Sequence, residues 1–318
     1  MTDRGSSRKR VLVVVNPHAT TVSERLKNLV VYALQGRFDV EARTTEDQGH
    51  AIEIGQDARE GAYDLVVAFG GDGTINEVVN GLAGSSTPVT FLPGGSTNVV
   101  CRTLGIPNDV VDATERLLAL AEDPPIRKIT LGRADDRYFL FSCGAGIDAT
   151  VVEKVDARPD LKSRIGPWFY SWKAVTSYYR SYLRDPVLIE AVVADRSVRG
   201  LTALCQNSDP FTYFGDLPVH VCPDVDLGDP ELSMAVLRRA SQVDTASLIP
   251  RLLSSRLDAI EHPQVEHFPG FTYAELTSVS PDPSGELRPF PVQVDGDFIG
   301  RFDRLTLTAE PESLAIIA

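Results

Sequence analysis

The strongest constraint on the fold is an apolar strand that ends in glycines and runs directly into a helix. This segment is VAFGGDGTINEVVNGL, Val67 to Leu82, and its first three glycines are Gly70, Gly71 and Gly73. Glycines at such a turn let backbone N–H groups approach an anion, and the N-terminus of a helix adds positive potential. Thr74 and Glu77 have the spacing of a capping box for that helix. The three glycines are therefore predicted to form a phosphate-binding loop.

Two further loops of small polar residues follow predicted strands. One is LPGGSTN, Leu92 to Asn98, and the other is NPHAT, Asn16 to Thr20. Strand ends at one edge of a sheet would bring all three loops together, which indicates a nucleotide site. The alternative is that each turn is only a tight connection between a strand and a helix. The sequence contains no GxxxxGK[ST] motif and neither glycine-rich turn has GxGxxG spacing, which excludes a P-loop and a dinucleotide fold.

Short β-branched runs alternate with longer mixed segments over the first third of the chain. This pattern predicts a doubly wound α/β domain with a parallel sheet. The predicted strands are Arg10–Val15, Phe38–Thr44, Tyr63–Phe69 and Pro88–Pro93, and the predicted helices are Ser23–Leu34, Gly49–Glu60 and Ile75–Leu82. After Asp123-Pro124-Pro125, strand-like runs separated by Gly, Pro and Asp predict a mostly antiparallel β domain.

Composition excludes some classes of protein. A formal charge of −13 argues against a nucleic-acid partner, and it requires any contact with an anionic membrane to be local. The four cysteines form no CxxC pair, so neither a zinc ribbon nor a disulfide framework is indicated, and a reducing cytoplasm fits best. The apolar run Val11–Val15 is too short for a signal peptide or a membrane span.

The segments GGDGTINEVVNGL (70–82) and PGGSTN (93–98) together resemble the diacylglycerol kinase catalytic domain, which bacterial soluble diacylglycerol kinases share with sphingosine and ceramide kinases. The likeness extends to NPHAT, GIP (105–107), SCGAGID (142–148), PDVDLGD (223–229) and VDGD (294–297). GGDGT alone also occurs in NAD kinases and phosphofructokinases, and the rest of the set separates this chain from them. The resemblance implies an ATP-binding α/β domain, residues 1–127 with about 300–318, and a β-sandwich lipid domain, residues 128–299.

The same resemblance implies roles for individual residues. Asp72 would lie beside the phosphates and their Mg²⁺, and Asp295 would be the general base. The residues implied in ATP binding are Asn16, Pro17, His18, Ala19, Thr20, Thr45, Gly71, Asp72, Gly73, Thr74, Ile75, Asn76, Glu77 and Ser96.

Asp295 also has a purely structural interpretation. Asp-Gly is the commonest two-residue β-turn signal, so Asp295 could be only a hairpin residue. Its neighbour Asp297 is the obvious rival as a base, although the residue at that place does not act as the base in relatives. Phosphoryl transfer through a loose transition state needs mainly positioning and charge neutralisation, so an Asp that accepts the alcohol proton is chemically sufficient.

Bacterial members of the family hold a second Mg²⁺ at the edge of the lipid domain. The residues implied here are Asp226, Asp229 and Glu231. Oxygen ligands suit this hard cation. However, Pro230 replaces the glycine that relatives carry, and proline fixes φ near −65°, which leaves a distorted site or an acidic surface loop as alternatives. Val99 is a second departure, since many relatives have Asp there.

The segment Lys162–Arg184 is rich in aromatic residues and carries five basic residues and no acidic one. Trp168 and Trp172 share a stripe at helical spacing, which is typical of an interfacial helix that meets anionic lipid. The alternative is that the aromatic stripe packs on the β domain and the cations are solvated.

The expected activity is transfer of the ATP γ-phosphate to the hydroxyl of diacylglycerol, which gives phosphatidic acid for phospholipid synthesis. The expected location is the cytoplasm, with peripheral contact to the inner membrane face and no nucleic-acid partner, and a homodimer is left open. Alternatives are a kinase for a sphingoid base or another lipid alcohol, an NAD kinase, and a nucleotide-binding regulator without catalysis.

Overall fold

The computed structural model describes residues 8–120, 125–156, 186–254 and 256–318. The chain divides into unit 1, Met1–Ile129 with Glu312–Ala318, and unit 2, Thr130–Pro311. The predicted interfacial segment, Lys162–Arg184, lies outside the described residues.

Unit 1 contains a parallel sheet in the order β2-β1-β3-β4, and the C-terminal end of β18 joins it where Ile316 pairs with Val89. Residues 11–15 of β1, four valines and one leucine, are all buried, which is typical of a strand covered on both faces. Its elements are β1 (Arg10–Val15), α1 (Glu24–Gln35), β2 (Asp39–Thr44), α2 (His50–Glu60), β3 (Leu65–Gly70), α3 (Asp72–Leu82), β4 (Val89–Pro93), α4 (Val99–Thr103) and α5 (Val110–Leu120).

The four strands and three helices predicted for the first third are confirmed. The largest shift in a boundary is at α3, which begins at Asp72 and not at Ile75. The helix starts as soon as the chain leaves β3, because Gly71 supplies the extended N-cap conformation.

Unit 2 contains two antiparallel sheets and a separate hairpin of β11 with β12. One sheet has the order β14-β13-β10-β7-β16-β17, and the other joins β18, β15, β8 and β9, with β5 pairing both β18 and β6. The strands from β5 onward are β5 (Ile126–Ala134), β6 (Arg137–Phe139), β7 (Ser142–Gly146), β8 (Ile189–Val193), β9 (Arg196–Gly200), β10 (Thr202–Gln206), β11 (Thr212–Phe214), β12 (Leu217–Val219), β13 (Leu232–Leu237), β14 (Val265–Phe271), β15 (Tyr273–Ser278), β16 (Phe290–Val294), β17 (Asp297–Phe302) and β18 (Arg304–Ile317). The helices are α6 (Ile147–Asp156), α7 (Gln242–Leu252) and a 3-10 turn (Ala259–Glu261).

Buried side chains from both sheets form one core in unit 2. Val236 and Val292 enter it from one sheet, and Leu276 and Leu305 from the other. The predicted antiparallel β-sandwich is therefore confirmed. A smaller cluster packs Leu252 of α7 against Val221, Cys222, Val225 and Ala235. Helix α7 was not among the sequence predictions.

All four cysteines are buried and free. Within the described ranges, no helix combines the length and the apolar character needed to cross a bilayer.

Candidate functional site

The three predicted loops of unit 1 meet at the carboxyl ends of β1, β3 and β4. Asn16 N–H donates to the carbonyl of Phe69 at 3.0 Å, and Gly94 N–H donates to the carbonyl of Gly70 at 2.8 Å. Thr21 N–H in turn donates to the carbonyl of Gly94 at 3.0 Å. The expectation that these loops lie together is confirmed.

The two glycine-rich loops touch backbone to backbone. A Cβ atom at Gly94 would lie 2.8 Å from the Cα of Gly70, and one at Gly95 would lie 2.9 Å from the Cα of Gly71. Real Cβ atoms do not approach backbone this closely without a shift of the chain. Glycine is thus required at positions 94 and 95 for this approach.

The first turn of α3 is the natural place for an anion. The first backbone bond of the helix runs from Ile75 N–H to the carbonyl of Gly71 at 3.0 Å. The amides of Gly73 and Thr74 lie in this first turn, ahead of the first backbone bond of the helix, and the helix dipole adds positive potential there. Amides at a helix N-terminus are well suited to bind phosphate.

The predicted capping box of Thr74 and Glu77 is wrong. The N-cap of α3 is Gly71, with no side-chain cap, because the helix begins three residues earlier than predicted. Thr74 Oγ1 instead accepts a hydrogen bond from Asn16 Nδ2 at 2.9 Å, which ties the NPHAT loop to α3. The buried Glu77 carboxylate accepts from the amides of Gly49 at 2.8 Å and Ala51 at 3.2 Å. Glu77 therefore caps α2.

Asp72 links the two glycine-rich loops through its side chain. Its carboxylate oxygens accept from the amides of Val99 at 3.0 Å and Val100 at 3.1 Å, at the start of α4. The preceding residue, Asn98, has φ +50°, and its Oδ1 accepts from the amide of Gly95 at 2.8 Å. Asp72 and Asn98 thus fix the PGGSTN loop against α3. The Mg²⁺ role of Asp72 stays a prediction.

The other predicted ATP contacts differ in accessibility. His18, Thr20 and Ser96 lie at the loop edge, and all three are exposed. Ile75 and Asn76 are fully buried, so only their backbone is placed to meet a ligand. Pro17, Ala19 and Gly73 belong to the same loops and are not buried. Thr45 is buried, and its amide donates to the carbonyl of Val15. The preceding residue, Thr44, lines a cavity of about 350 Å³ together with Arg43, His50, Glu53, Ile54 and Asp57.

In unit 2, Asp295 occupies a two-residue hairpin turn between β16 and β17, where Val294 pairs with Asp297. Asp295 and Gly296 have φ values of +48° and +85°, as a type I′ turn requires. The structural interpretation of Asp295 is therefore confirmed, although it does not exclude a catalytic role.

The Asp295 carboxylate accepts hydrogen bonds from three backbone amides. It accepts from Leu140 at 2.7 Å, Phe141 at 3.0 Å and Ser142 at 3.0 Å, and the residue is 3% exposed. Leu140 and Phe141 lie between β6 and β7, and Ser142 is the first residue of β7. Amide donors stabilise the ionised carboxylate and fix its position.

Sequence reasoning missed two polar groups that hold the same region. Asn207 Nδ2 donates to the carbonyls of Leu140 at 2.9 Å and Thr130 at 2.7 Å. Gln293 donates to Asp148 at 3.1 Å, and its Oε1 accepts from the Gly296 amide at 2.8 Å. Desolvation raises the pKa of Asp148 to about 6. The segment SCGAGID (142–148) includes Asp148 and belongs to the family resemblance. No residue near it in sequence identifies Gln293 as the partner of Asp148.

The three carboxylates predicted to hold a second metal ion lie near β13. Asp229 accepts from the Asp226 amide at 2.8 Å, and Asp226 accepts from the Gly228 amide at 2.9 Å, so both side chains turn back onto their own loop. In the part of the chain that the structure describes, no three His, Cys, Asp or Glu side chains are grouped to hold a metal. The second Mg²⁺ site, with Glu231, stays a prediction.

The fold defines a two-unit protein with an α/β unit, which carries the loop edge, and a β-sandwich unit. Residues 10–133 match the family described as the diacylglycerol kinase catalytic domain.

Relatives and solved structures cover nearly the whole chain. A diacylglycerol kinase of Staphylococcus epidermidis is 28% identical over 311 residues, 95% of this chain and 90% of that protein. One of Staphylococcus haemolyticus is 26% identical over 298 residues, 92% of this chain and 84% of that protein. A crystal structure of a diacylglycerol kinase from Bacillus anthracis str. Sterne superposes with a TM-score of 0.70 at 18% identity, covering 98% of this chain and 97% of that chain. These similarities agree with the two-unit fold.

Proposed function

We propose that this protein is an ATP-dependent lipid kinase that transfers the γ-phosphate to the hydroxyl of diacylglycerol. The observation that carries the proposal is the backbone contact of the two glycine-rich loops beside the first turn of α3, within the residues that match the kinase family. Diacylglycerol is the substrate named for the bacterial relatives.

Unit 1 would hold the triphosphate mainly through backbone groups. The first-turn amides of α3 offer donors, and the adjacent PGGSTN loop presents the hydroxyl of Ser96. Amides at a helix N-terminus bind phosphate without the lysine of a P-loop. This arrangement explains how a chain that lacks GxxxxGK[ST] can still bind a nucleotide.

Asp72 would hold Mg²⁺ beside the phosphates. Its carboxylate supplies the hard oxygen ligands that this cation prefers, and two backbone amides fix its orientation. The cation would neutralise charge on the phosphoryl group during transfer. Asp72 itself keeps the two glycine-rich loops in register.

Asp295 would accept the proton of the acceptor alcohol. Its three amide donors fix the orientation of the carboxylate, which suits a base whose main task is positioning. The hairpin turn and the proton acceptor are then two roles of one residue.

A panel of acceptors tests the proposal. The full-length protein is incubated with γ-labelled ATP and Mg²⁺, and with diacylglycerol or sphingosine in detergent micelles, or with NAD in buffer. Labelled phosphatidic acid is the expected product. Label on sphingosine alone would replace diacylglycerol by a sphingoid base, and label on NAD alone would overturn the lipid assignment. Transfer to none of the three would favour a nucleotide-binding regulator.

A further inference from the structure

Helix α7 presents apolar side chains to solvent along one face. Val243 is 77% exposed, and Leu253, directly after the helix, is 40% exposed. Between them Ala246, Ile249 and Pro250 are also exposed. Positions 243, 246, 250 and 253 follow helical spacing, and Ile249 lies one turn before Leu253 on the same side of the helix. Leu257, in the following turn, is 48% exposed. We call Val243, Ile249, Leu253 and Leu257 the α7 stripe.

The orientation of the helix is fixed by its other contacts. Leu252 packs into the small core cluster of unit 2. Ser241 and Asp244 form a reciprocal capping box, and Ser247 Oγ lies 2.8 Å from Nε2 of the buried His262. A helix anchored on one face in this way keeps its opposite face in solvent. The exposure of the α7 stripe is therefore built into the fold.

Positive charge borders the stripe. Residues 238–257 contain four arginines and one acidic residue, in a chain whose formal charge is −13. Arg239, before the helix, has a side chain that is 71% exposed, and Arg256, after it, is also exposed. Arg239 lies 3.7 Å from Asp244, so it is only loosely paired. An apolar stripe with cations at its ends is typical of a helix that lies in a membrane interface.

We propose that the α7 stripe docks on an anionic lipid surface, with Arg239 and Arg256 meeting the headgroup phosphates. The inference rests on the proposed function, since a lipid kinase must reach an acceptor that resides in a membrane. Charge favours this occupant, because a local excess of cations borders the apolar face of a chain that is acidic as a whole. Four partly exposed aliphatic side chains offer on the order of a few hundred Å², below the roughly 800 Å² per partner of a stable protein interface.

Flotation with vesicles tests the docking surface. Vesicles of phosphatidylcholine alone are compared with vesicles that also contain phosphatidylglycerol, at low and high salt. The test variants are Val243→Ser with Leu253→Ser, and Arg239→Gln with Arg256→Gln. Tyr32→Ser is the matched control, because Tyr32 is 80% exposed on α1 in unit 1.

Wild type and the Tyr32 control are expected to float with the anionic vesicles. The serine pair should weaken binding about tenfold or more, and the glutamine pair should abolish the preference for anionic vesicles. Thermal unfolding should be unchanged, since every substituted side chain is exposed. Binding of the serine pair equal to that of wild type would overturn the proposal.

Light scattering and a turnover assay accompany the flotation. If light scattering shows a wild-type dimer that the serine pair converts to a monomer, the stripe is an interface between copies and the lipid proposal fails. Turnover of diacylglycerol in detergent micelles is measured for wild type at the same time. No turnover there would refute the proposed kinase activity, whereas flotation and light scattering together decide the docking surface.

Discussion

The loop edge of unit 1 and the Asp295 turn of unit 2 are each stabilised by a different kind of contact. At the loop edge, Gly70 and Gly94 meet because neither has a side chain. At the turn, one carboxylate collects three amides that lie 153 to 155 positions earlier in the chain. The first arrangement depends on space and the second on charge. Substitutions should therefore damage the two regions in different ways.

The largest effect is expected at Asp295. Asp295→Ala leaves the buried amides of Leu140, Phe141 and Ser142 without their acceptor, which should lower the free energy of unfolding by about 3–5 kcal/mol. Urea denaturation measures this change. Asp297→Ala, at the other end of the turn and part-exposed, is the control and should cost about 1 kcal/mol or less. Equal losses in the free energy of unfolding at positions 295 and 297 would show that the three amide contacts of Asp295 do not give it a special role in the turn.

A pair of glycines tests the requirement for space. Gly94→Ala places a Cβ 2.8 Å from the backbone of Gly70 and should cost about 2–3 kcal/mol, because the two loops must separate. In Gly71→Ala the nearest atom is 3.4 Å away, which is ordinary contact, and stability should change little. The same denaturation assay compares them. A Gly94→Ala protein as stable as wild type would mean that the loops can move apart at little cost.

Asp148 adds a dependence on pH to the turn. Its pKa is raised from 3.8 to about 6, so its stabilising contribution is complete below pH 3.8 and is lost as the pH rises through 6. Relative to Asp148→Asn, wild type should lose about 2 kcal/mol between pH 4 and pH 7, discounted for partial solvent screening. Denaturation of both proteins across this range measures the difference. A constant difference would show that Asp148 does not titrate there.

The smallest effect is expected at Glu77. Glu77→Ala removes the acceptor for Gly49 and Ala51 and should cost about 1 kcal/mol, the usual value for a helix N-cap. Hydrogen exchange should speed up at the first amides of α2, while those of α3 keep their protection. Faster exchange confined to α3 would instead support the capping box that the sequence suggested.

Much of unit 1 could be predicted because its signals are local. The glycines, the strands before them and the helices after them are adjacent in sequence, so their meeting follows from the parallel sheet. Glu77 was misassigned because its real partners belong to α2, 26 and 28 positions away. The hold of Asp295 on residues 140–142 depends on antiparallel pairing in unit 2, which composition does not specify. The α7 stripe was missed because an exposed apolar residue has the same sequence pattern as a buried one.

The central claim is that Asp295 is both the anchor of its turn and the acceptor of the alcohol proton. Asp295→Asn tests it most directly, because asparagine keeps an oxygen for backbone amides but is not a base. We expect kcat for diacylglycerol in micelles to fall by about 10²–10⁴, with KM for ATP unchanged and the loss of stability smaller than in Asp295→Ala. Turnover within a few-fold of wild type would contradict the account and leave Asp295 as a turn residue alone.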